Sequence, residues 1–256
     1  MTKFAQIILP SALNDDFTYF ALENQQIGDV VLVEFGRQKL WGVVILLHDK
    51  VPNNFDIKKI KNVLEIHQKI KLTLNQIKFI EAISSYNLAS RGLVLKSFIG
   101  ILNSDKVQKE FTPLTHEINQ KNFHLKTLLP EQQKIYDEIC RDLSSAKTFL
   151  IDGVTGSGKT EIYFAIIAEI LKKDASSQIL ILLPEIALTS QLLSRFEEQF
   201  GFCPALWHSK ISKKRKREIY FGVLNGTVKV LIGARSSLLL PFKNLQLIVI
   251  DEEHDA

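Results

Sequence analysis

Over the first 66 residues the apolar positions fall in short runs, Gln6–Leu9, Asp29–Phe35 and Leu40–Leu47, continuous or alternating with polar ones. Turn-forming stretches, Ser11–Asp16, Gly28 and Gly36, separate them. This spacing predicts strands in a small barrel or curled sheet, a β-rich domain over residues 1–70. Phe17, Tyr19, Phe20 and Trp41 are core residues or a stacking surface for a base. The period then changes: Leu74, Ile77, Phe79, Ile80, Ile83 and Tyr86 recur at helical spacing, with Thr73 or Asn75 as N-cap. A second short helix is expected around Leu93–Ile101, after the Ser90–Gly92 break. Two short helices joined by a tight turn suit a winged-helix-like segment over 71–103.

Residues 103–127 are polar and aperiodic, so a linker is expected over 104–127. From 128 to 256 strands and helices alternate. The expected strands are Thr148–Ile151, Gln178–Leu183, Pro204–Trp207, Val228–Ile232 and Gln246–Ile250. Helices are expected at Glu131–Leu143, Thr160–Lys172, Leu188–Phe200 and Ser212–Leu224. Continuous apolar strands alternating with helices predict an α/β fold with a parallel sheet covered on both faces.

The 256 residues are 46% hydrophobic, a globular composition. No apolar run approaches the roughly 20 residues of a membrane span, and the opening M-T-K-F-A-Q-I-I-L-P is too short and too quickly broken for a signal peptide. Cys140 and Cys203 lack metal-ligand spacing and are expected to be buried packing residues in a reducing cytoplasm. The net charge of +4 lies wholly within residues 1–130. Such an excess fits an anionic partner for the N-terminal part, or ordinary surface lysines.

The chemistry concentrates in the α/β part. Gly153–Thr160 reads G-x-x-x-x-G-K-T, between an expected strand and an expected helix. That order aims backbone N–H groups and a helix N-terminus at a polyphosphate. Gly153, Gly156 and Gly158 permit close backbone approach. Lys159 would reach the β- and γ-phosphates, and the Thr160 hydroxyl would ligate Mg²⁺. A second strand ends in Asp251-Glu252-Glu253-His254. Asp251 would hold the Mg²⁺, and Glu252 would be the base that polarises the attacking water. Three further loops follow expected strands: Leu182–Thr189, Trp207–Ser209 and Gly233–Phe242. Loops of this kind can hold the phosphates of a single strand. Arg235 is the leading DNA contact, or else an internal partner of the Asp251–Glu253 acids. The basic run Lys210–Arg217 is either the solvated face of a helix or a patch that attracts a nucleic-acid backbone. His208 and His254 have no metal-partner spacing.

Taken together, G-V-T-G-S-G-K-T, L-P-E-I-A-L-T, W-H-S, G-A-R-S-S-L-L-L-P-F and D-E-E-H resemble the PriA family of replication-restart DNA helicases, in helicase superfamily 2. The likeness extends over nearly the whole chain. It implies a RecA-like P-loop domain behind a domain that binds the 3′ end of a nascent strand and a winged-helix domain. By position, Phe17, Tyr19, Gly36 and Lys61 would line the 3′-end pocket, and Gln132 would contact adenine. Gly153, Val154, Thr155, Gly156, Ser157, Gly158, Lys159 and Thr160 would bind ATP, Thr160 and Asp251 the Mg²⁺. Lys159, Asp251 and Glu252 would serve catalysis, and Arg235 would lie near DNA. The family further implies forked and single-stranded DNA, primosome proteins and single-strand-binding protein as partners, and zinc in a paired-cysteine module. Thr18 stands where the family has an aspartate, with Asp16 as a possible substitute. Leu129 replaces a polar residue, and Gly233-Ala234-Arg235 replaces G-T-R.

The resemblance also implies an N-terminal piece, ending just after D-E-E-H, without the second motor lobe, its arginine finger or the zinc cysteines. An arginine finger contributes on the order of 10³–10⁵ in rate. The expectation is therefore weak ATP binding, little hydrolysis and no unwinding by these 256 residues. The intact protein would be an ATP-dependent 3′→5′ helicase. The alternatives are a DNA-binding module whose affinity nucleotide tunes without turnover, and a small-molecule P-loop kinase, against which the D-E-E-H tetrad speaks.

Overall fold

The computed structural model describes residues 3–13, 16–50, 57–103, 112–143, 147–154, 156–184 and 190–251. The chain divides into two compact units, Met1–Glu110 and Phe111–Ala256.

In the first unit β1 (Phe4–Ile8), β2 (Phe17–Phe20), β3 (Asp29–Phe35), β4 (Gln38–His48) and β5 (Val63–Lys71) form one antiparallel sheet, ordered β2-β1-β4-β3-β5. Alternate residues face one core: Ala5 and Ile7 of β1, Val31 and Val33 of β3, and Val44 of β4, joined by Leu9, Tyr19 and Val63. The register of β1 on β4 shifts between Gln6 and Ile7. Gly28 is required where the chain enters β3. Its φ is +89°, its carbonyl accepts from Leu72 N at 2.8 Å, and a Cβ there would overlap the Leu72 carbonyl oxygen.

Helices α1 (Leu74–Asn87) and α2 (Arg91–Ile99) follow. Thr73 caps α1 in a reciprocal box: Gln76 N donates to its hydroxyl at 3.2 Å, and Thr73 N donates to Gln76 Oε1 at 2.8 Å. Ser90 caps α2, accepting from Leu93 N, and donates to Ser11 O at 3.2 Å. Gly92 lets α2 lie directly on the backbone after β1, because a Cβ there would overlap the carbonyl oxygens of Leu9 and Ser11. Trp41 N donates to Asn103 Oδ1 at 2.8 Å. Residues 71–103 therefore pack in the same unit as the sheet, without the expected division at residue 70. The apolar faces of the two helices, including Leu95, Phe98 and Ile99, are buried there.

In the second unit β6 (Gln178–Leu182), β7 (Ala205–Trp207), β8 (Val230–Gly233) and β9 (Leu245–Ile250) form a parallel sheet, ordered β7-β8-β6-β9. Helices α3 (Pro130–Arg141) and α4 (Lys159–Lys173) precede β6, α5 (Ser190–Phe200) joins β6 to β7, and α6 (Lys213–Asn225) joins β7 to β8. The core joins Phe164, Ile167 and Leu171 of α4 to Ile179 and Ile181 of β6, Val230 and Ile232 of β8, and Phe196 and Phe200 of α5.

Three further expectations differ from what is seen. First, Thr148–Ile151 is not a strand. Leu150 is 85% exposed, although Ile151 packs on the cluster of Ile139, Ile162 and Ile166 between α3 and α4. A strand exists only where a neighbour takes its backbone bonds. Among the described residues β9 pairs with β6 alone, and Ile248 and Ile250 on one of its faces stay exposed. Second, the described part of the expected linker, 112–127, is built into the α/β unit. Leu114 N donates to Glu218 O at 2.9 Å, His116 N to Thr227 O at 3.0 Å and His124 N to Gln199 O at 2.8 Å. Ile118, Phe123 and Leu125 pack on the core. Their irregular spacing hides them from a periodicity reading. Third, Cys203 is exposed and Cys140 half-buried.

Candidate nucleotide and DNA sites

The phosphate-loop sequence enters α4 through Gly158, whose φ of +84° is left-handed. A side chain at Gly158 would overlap the amide nitrogen of Gln132. Gln132 sits in the first turn of α3, which Pro130 starts. Its Nε2 donates to Ser157 O at 3.0 Å, and its Oε1 accepts from Leu129 N at 2.9 Å. One glutamine thus ties the start of α3 to the loop, and the glycine leaves room for it. Lys159 Nζ donates to Gly153 O at 2.5 Å and to Val154 O at 3.4 Å, so its ammonium curls over the loop's own carbonyls. Gly156, at φ +83°, has open space where a Cβ would stand. Thr155 and Glu252 lie outside the described residues, as do Glu253 and His254.

Asp251 follows β9 directly, its N–H donating to Leu182 O at 3.0 Å at the carboxyl end of the sheet. The hydroxyl of Tyr163, on α4, donates to Asp251 Oδ2 at 3.0 Å. Lys159 and Thr160 therefore begin the helix that reaches Asp251 one turn further on. Glu161, 12% exposed at its side chain, takes two cations: Arg195 of α5 through Oε2, and Lys126 through Oε1 at 3.1 Å. Neither Tyr163 nor Glu161 belongs to a phosphate-binding signature. The charge beside Gly158–Thr160 was the only hint of Glu161 in the sequence.

The loops after β7 and β8 meet: Ala234 N donates to Trp207 O at 3.1 Å. Arg235 starts the short 3₁₀ turn Arg235–Leu239 and is exposed. In α6 the exposed first turn carries Lys213, Lys214 and Arg215. Arg215 pairs with Glu218 at 3.1 Å, and Lys216 Nζ stands 5.9 Å above the Trp207 ring.

In the first unit, Phe17, Tyr19, Gly36 and Lys61 gather around the end of β3. Phe17 lies 4.8 Å from Phe35, edge to face. The Tyr19 hydroxyl donates to Glu34 O at 3.0 Å, and Lys61 Nζ pairs with Glu34 Oε2 at 3.2 Å. Gly36, at φ +59°, opens the two-residue turn into β4. The Tyr19 ring is buried, and burial first, with Glu34 adding, pushes its phenol up to about 12. It is a core residue with a hydrogen-bonding tip rather than a stacking surface. Glu34 is the residue that sequence reasoning missed. Asp16, the candidate substitute for an aspartate at Thr18, is paired with Arg91 Nη2 at 2.7 Å.

Comparison with known proteins agrees with this layout. Residues 129–256 match the DEAD/DEAH box helicase family, and residues 6–100 match a 3′DNA-binding domain (3′BD). The chain is similar to the replication restart protein PriA of Rickettsia conorii, 41% identical over 256 residues, covering 99% of this chain and 38% of that protein. It is 36% identical over 174 residues to PriA of Bacillus subtilis, covering 66% of this chain and 20% of that protein. To PriA of Helicobacter pylori strain 26695 it is 33% identical over 240 residues, covering 93% and 35%. The chain thus spans about 38% of the length of the Rickettsia relatives it matches.

Proposed function

The chain belongs to the DEAD/DEAH box helicases, on the branch of the PriA replication-restart proteins, and from that premise we propose that it binds ATP–Mg²⁺ in its second unit and the 3′ end of a DNA strand in its first. In the intact protein the two would serve an ATP-dependent 3′→5′ helicase acting at stalled or repaired forks. Membership implies ATP with a divalent metal. The residues present fit both. Gly158 and Gln132 form a cradle that a Cβ would fill, Lys159 offers an ammonium within the loop, and Asp251 offers a carboxylate beside the same helix.

The observation that supports the reading is the Tyr163–Asp251 bond of 3.0 Å, because the start of α4 and the end of β9 are then neighbours. When bound, the metal would neutralise phosphate charge. Lys159 would exchange its two loop carbonyls for phosphate oxygens, and Thr160 and Asp251 would hold the metal. Gln132 would set the position of the loop and meet the adenine, and Glu252 would take the proton of the attacking water. In the first unit Lys61 would screen the last phosphodiester, and Phe17 and Gly36 would bound the space for the last sugar. Arg235 and the neighbouring Trp207 loop would contact single-stranded backbone. Primosome proteins and single-strand-binding protein are the partners this role calls for.

Titration of the chain with a fluorescent ATP analogue and with forked DNA tests the reading. Mg²⁺-dependent analogue binding, lost in Lys159→Ala, and preference for a 3′-hydroxyl end over a blocked one are expected. Equal binding of blunt duplex and 3′-ended forks would remove the DNA half of the proposal. A module that nucleotide merely tunes is the second reading, favoured by Lys159 being held by its own loop carbonyls. Glu252→Gln in an intact protein separates the two: it abolishes hydrolysis and fork processing on the first reading and leaves fork binding and processing unchanged on the second.

A further inference from the structure

Tyr163 is a buried polar side chain at the nucleotide site that no motif contains. It lies three residues after Thr160 and four after Lys159, hence one turn along the same side of α4. Its ring is 5% exposed and meets Phe164 edge to face at 5.2 Å, inside the core of the α/β unit. A buried phenol needs a hydrogen-bond partner. Here the hydroxyl donates to Asp251 Oδ2 at 3.0 Å, and the Thr160 hydroxyl lies beside it.

A carboxylate at a strand end turns about two side-chain bonds, and each turn presents a different oxygen to a metal. A donor on a rigid, packed ring removes that freedom. Resting on the reading of this site as an ATP–metal site, we propose that Tyr163 is a positioning residue for the divalent ion. It fixes how the Asp251 carboxylate faces relative to the first turn of α4, so that Thr160 and Asp251 act as one metal site. Partners that orient metal-binding carboxylates typically contribute about 10–100-fold in metal affinity. A single hydroxyl on one oxygen belongs at the lower end.

The test titrates Mg²⁺ into the whole 256-residue chain and into Tyr163→Phe, each with a fluorescent ATP analogue, and repeats the analogue titration in EDTA. Tyr163→Phe should need roughly tenfold more Mg²⁺ for half-maximal binding. Its affinity in EDTA should equal that of the parent, and in an Asp251→Asn background the substitution should change nothing. Identical Mg²⁺ dependence overturns the proposal, as does a loss that is equally large in EDTA, which would make the tyrosine a packing residue only. If the parent chain binds no analogue with or without Mg²⁺, the nucleotide reading itself fails and takes this role with it. Should Tyr163→Phe not fold, 4-fluorophenylalanine placed at position 163 keeps the bulk without the donor, and the same outcomes decide.

Discussion

Substituting Gly158 by alanine separates two costs that meet at the phosphate loop. The first is backbone strain: at φ +84° an alanine sits in the left-handed region, at about 1–2 kcal/mol. The second is displacement of Gln132, whose amide nitrogen occupies the space the new Cβ takes. The glutamine can swing away, but it then gives up its bond to Ser157 O, about 1 kcal/mol. Gly158→Ala should therefore destabilise the α/β unit by about 2–3 kcal/mol, some 4–12 °C in Tm at about 2–4 °C per kcal/mol for a unit of this size. In a Gln132→Ala background the second cost disappears, and Gly158→Ala should cost only the strain. The assay is calorimetry of the four proteins of the cycle, following the transition of the second unit, with ATP-analogue affinity measured in parallel. A coupling of about 1 kcal/mol is expected. Equal shifts in both backgrounds would show that Gln132 does not clamp the loop.

Other consequences are simpler to state. Gly92→Ala would set a Cβ against two backbone carbonyls that cannot swing aside, so the transition of the first unit should fall by several degrees while that of the second holds; a silent substitution would contradict the docking of α2 on the end of β1. His116 is held neutral, pushed down to about 4 by burial first and then by Arg215 and Lys229, while its Nδ1 accepts from Lys229 N at 3.2 Å. Its folded pKa is depressed, so the unfolded chain takes up the proton first. Stability is complete above about pH 6.5 and is lost as pH falls toward 4, by about 3 kcal/mol; His116→Asn should flatten that part of the unfolding–pH curve, and an unchanged curve would refute the assignment. Lys213 and Lys214 put cations at the positive end of α6, unfavourable by about 0.3–1 kcal/mol each. Replacing both by alanine should slightly raise Tm and, if they meet a DNA backbone, lower the salt dependence of single-strand binding by about 1–2 in slope; an unchanged slope makes the run a solvated helix face.

What the sequence made legible depended on how local the signal was. The glycine turn into α4 and the strand that ends before Asp251 could be read because fixed identities at fixed spacing mark them. The strands of the parallel sheet could be read because burial on both faces leaves continuous apolar runs such as Ile179–Leu182. β5 was invisible as a separate strand: in V-L-E-I-H-Q-K-I-K only Val63 and Ile70 are buried, so no alternation shows. Thr148–Ile151 read as a strand because three adjacent apolar residues after a β-branched threonine satisfy the pattern, yet a pattern supplies no hydrogen-bonding neighbour. The 112–127 segment erred the other way. Its polar composition hid three core contacts and a set of backbone bonds to Thr227, Glu218 and Gln199.

The site partners escaped for a different reason, which bears on how the site works. Tyr163 and Asp251 are 88 residues apart, and Glu161 and Arg195 are 34 apart, so no local window contains either pair. Yet all the helix-side members fall within five consecutive positions. Lys159 reaches the loop carbonyls, Thr160 lies against the Tyr163 hydroxyl, Glu161 takes Arg195 and Lys126, and Tyr163 takes Asp251. A mostly buried carboxylate deprived of its cations is strongly destabilised, so the first turn of α4 does not shift without carrying α5 or breaking that pair. The same turn is fixed to β9 through the tyrosine. A charge meeting Lys159 would therefore act on a piece of helix already tied to one other helix, α5, and to the end of one strand, β9, and α5 is the helix that follows the L-P-E-I-A-L-T sequence. Geometry of this kind couples the first turn of α4 to α5 through one ion pair, so a displacement at Gly158–Lys159 is felt at α5 without passing along the chain through β6.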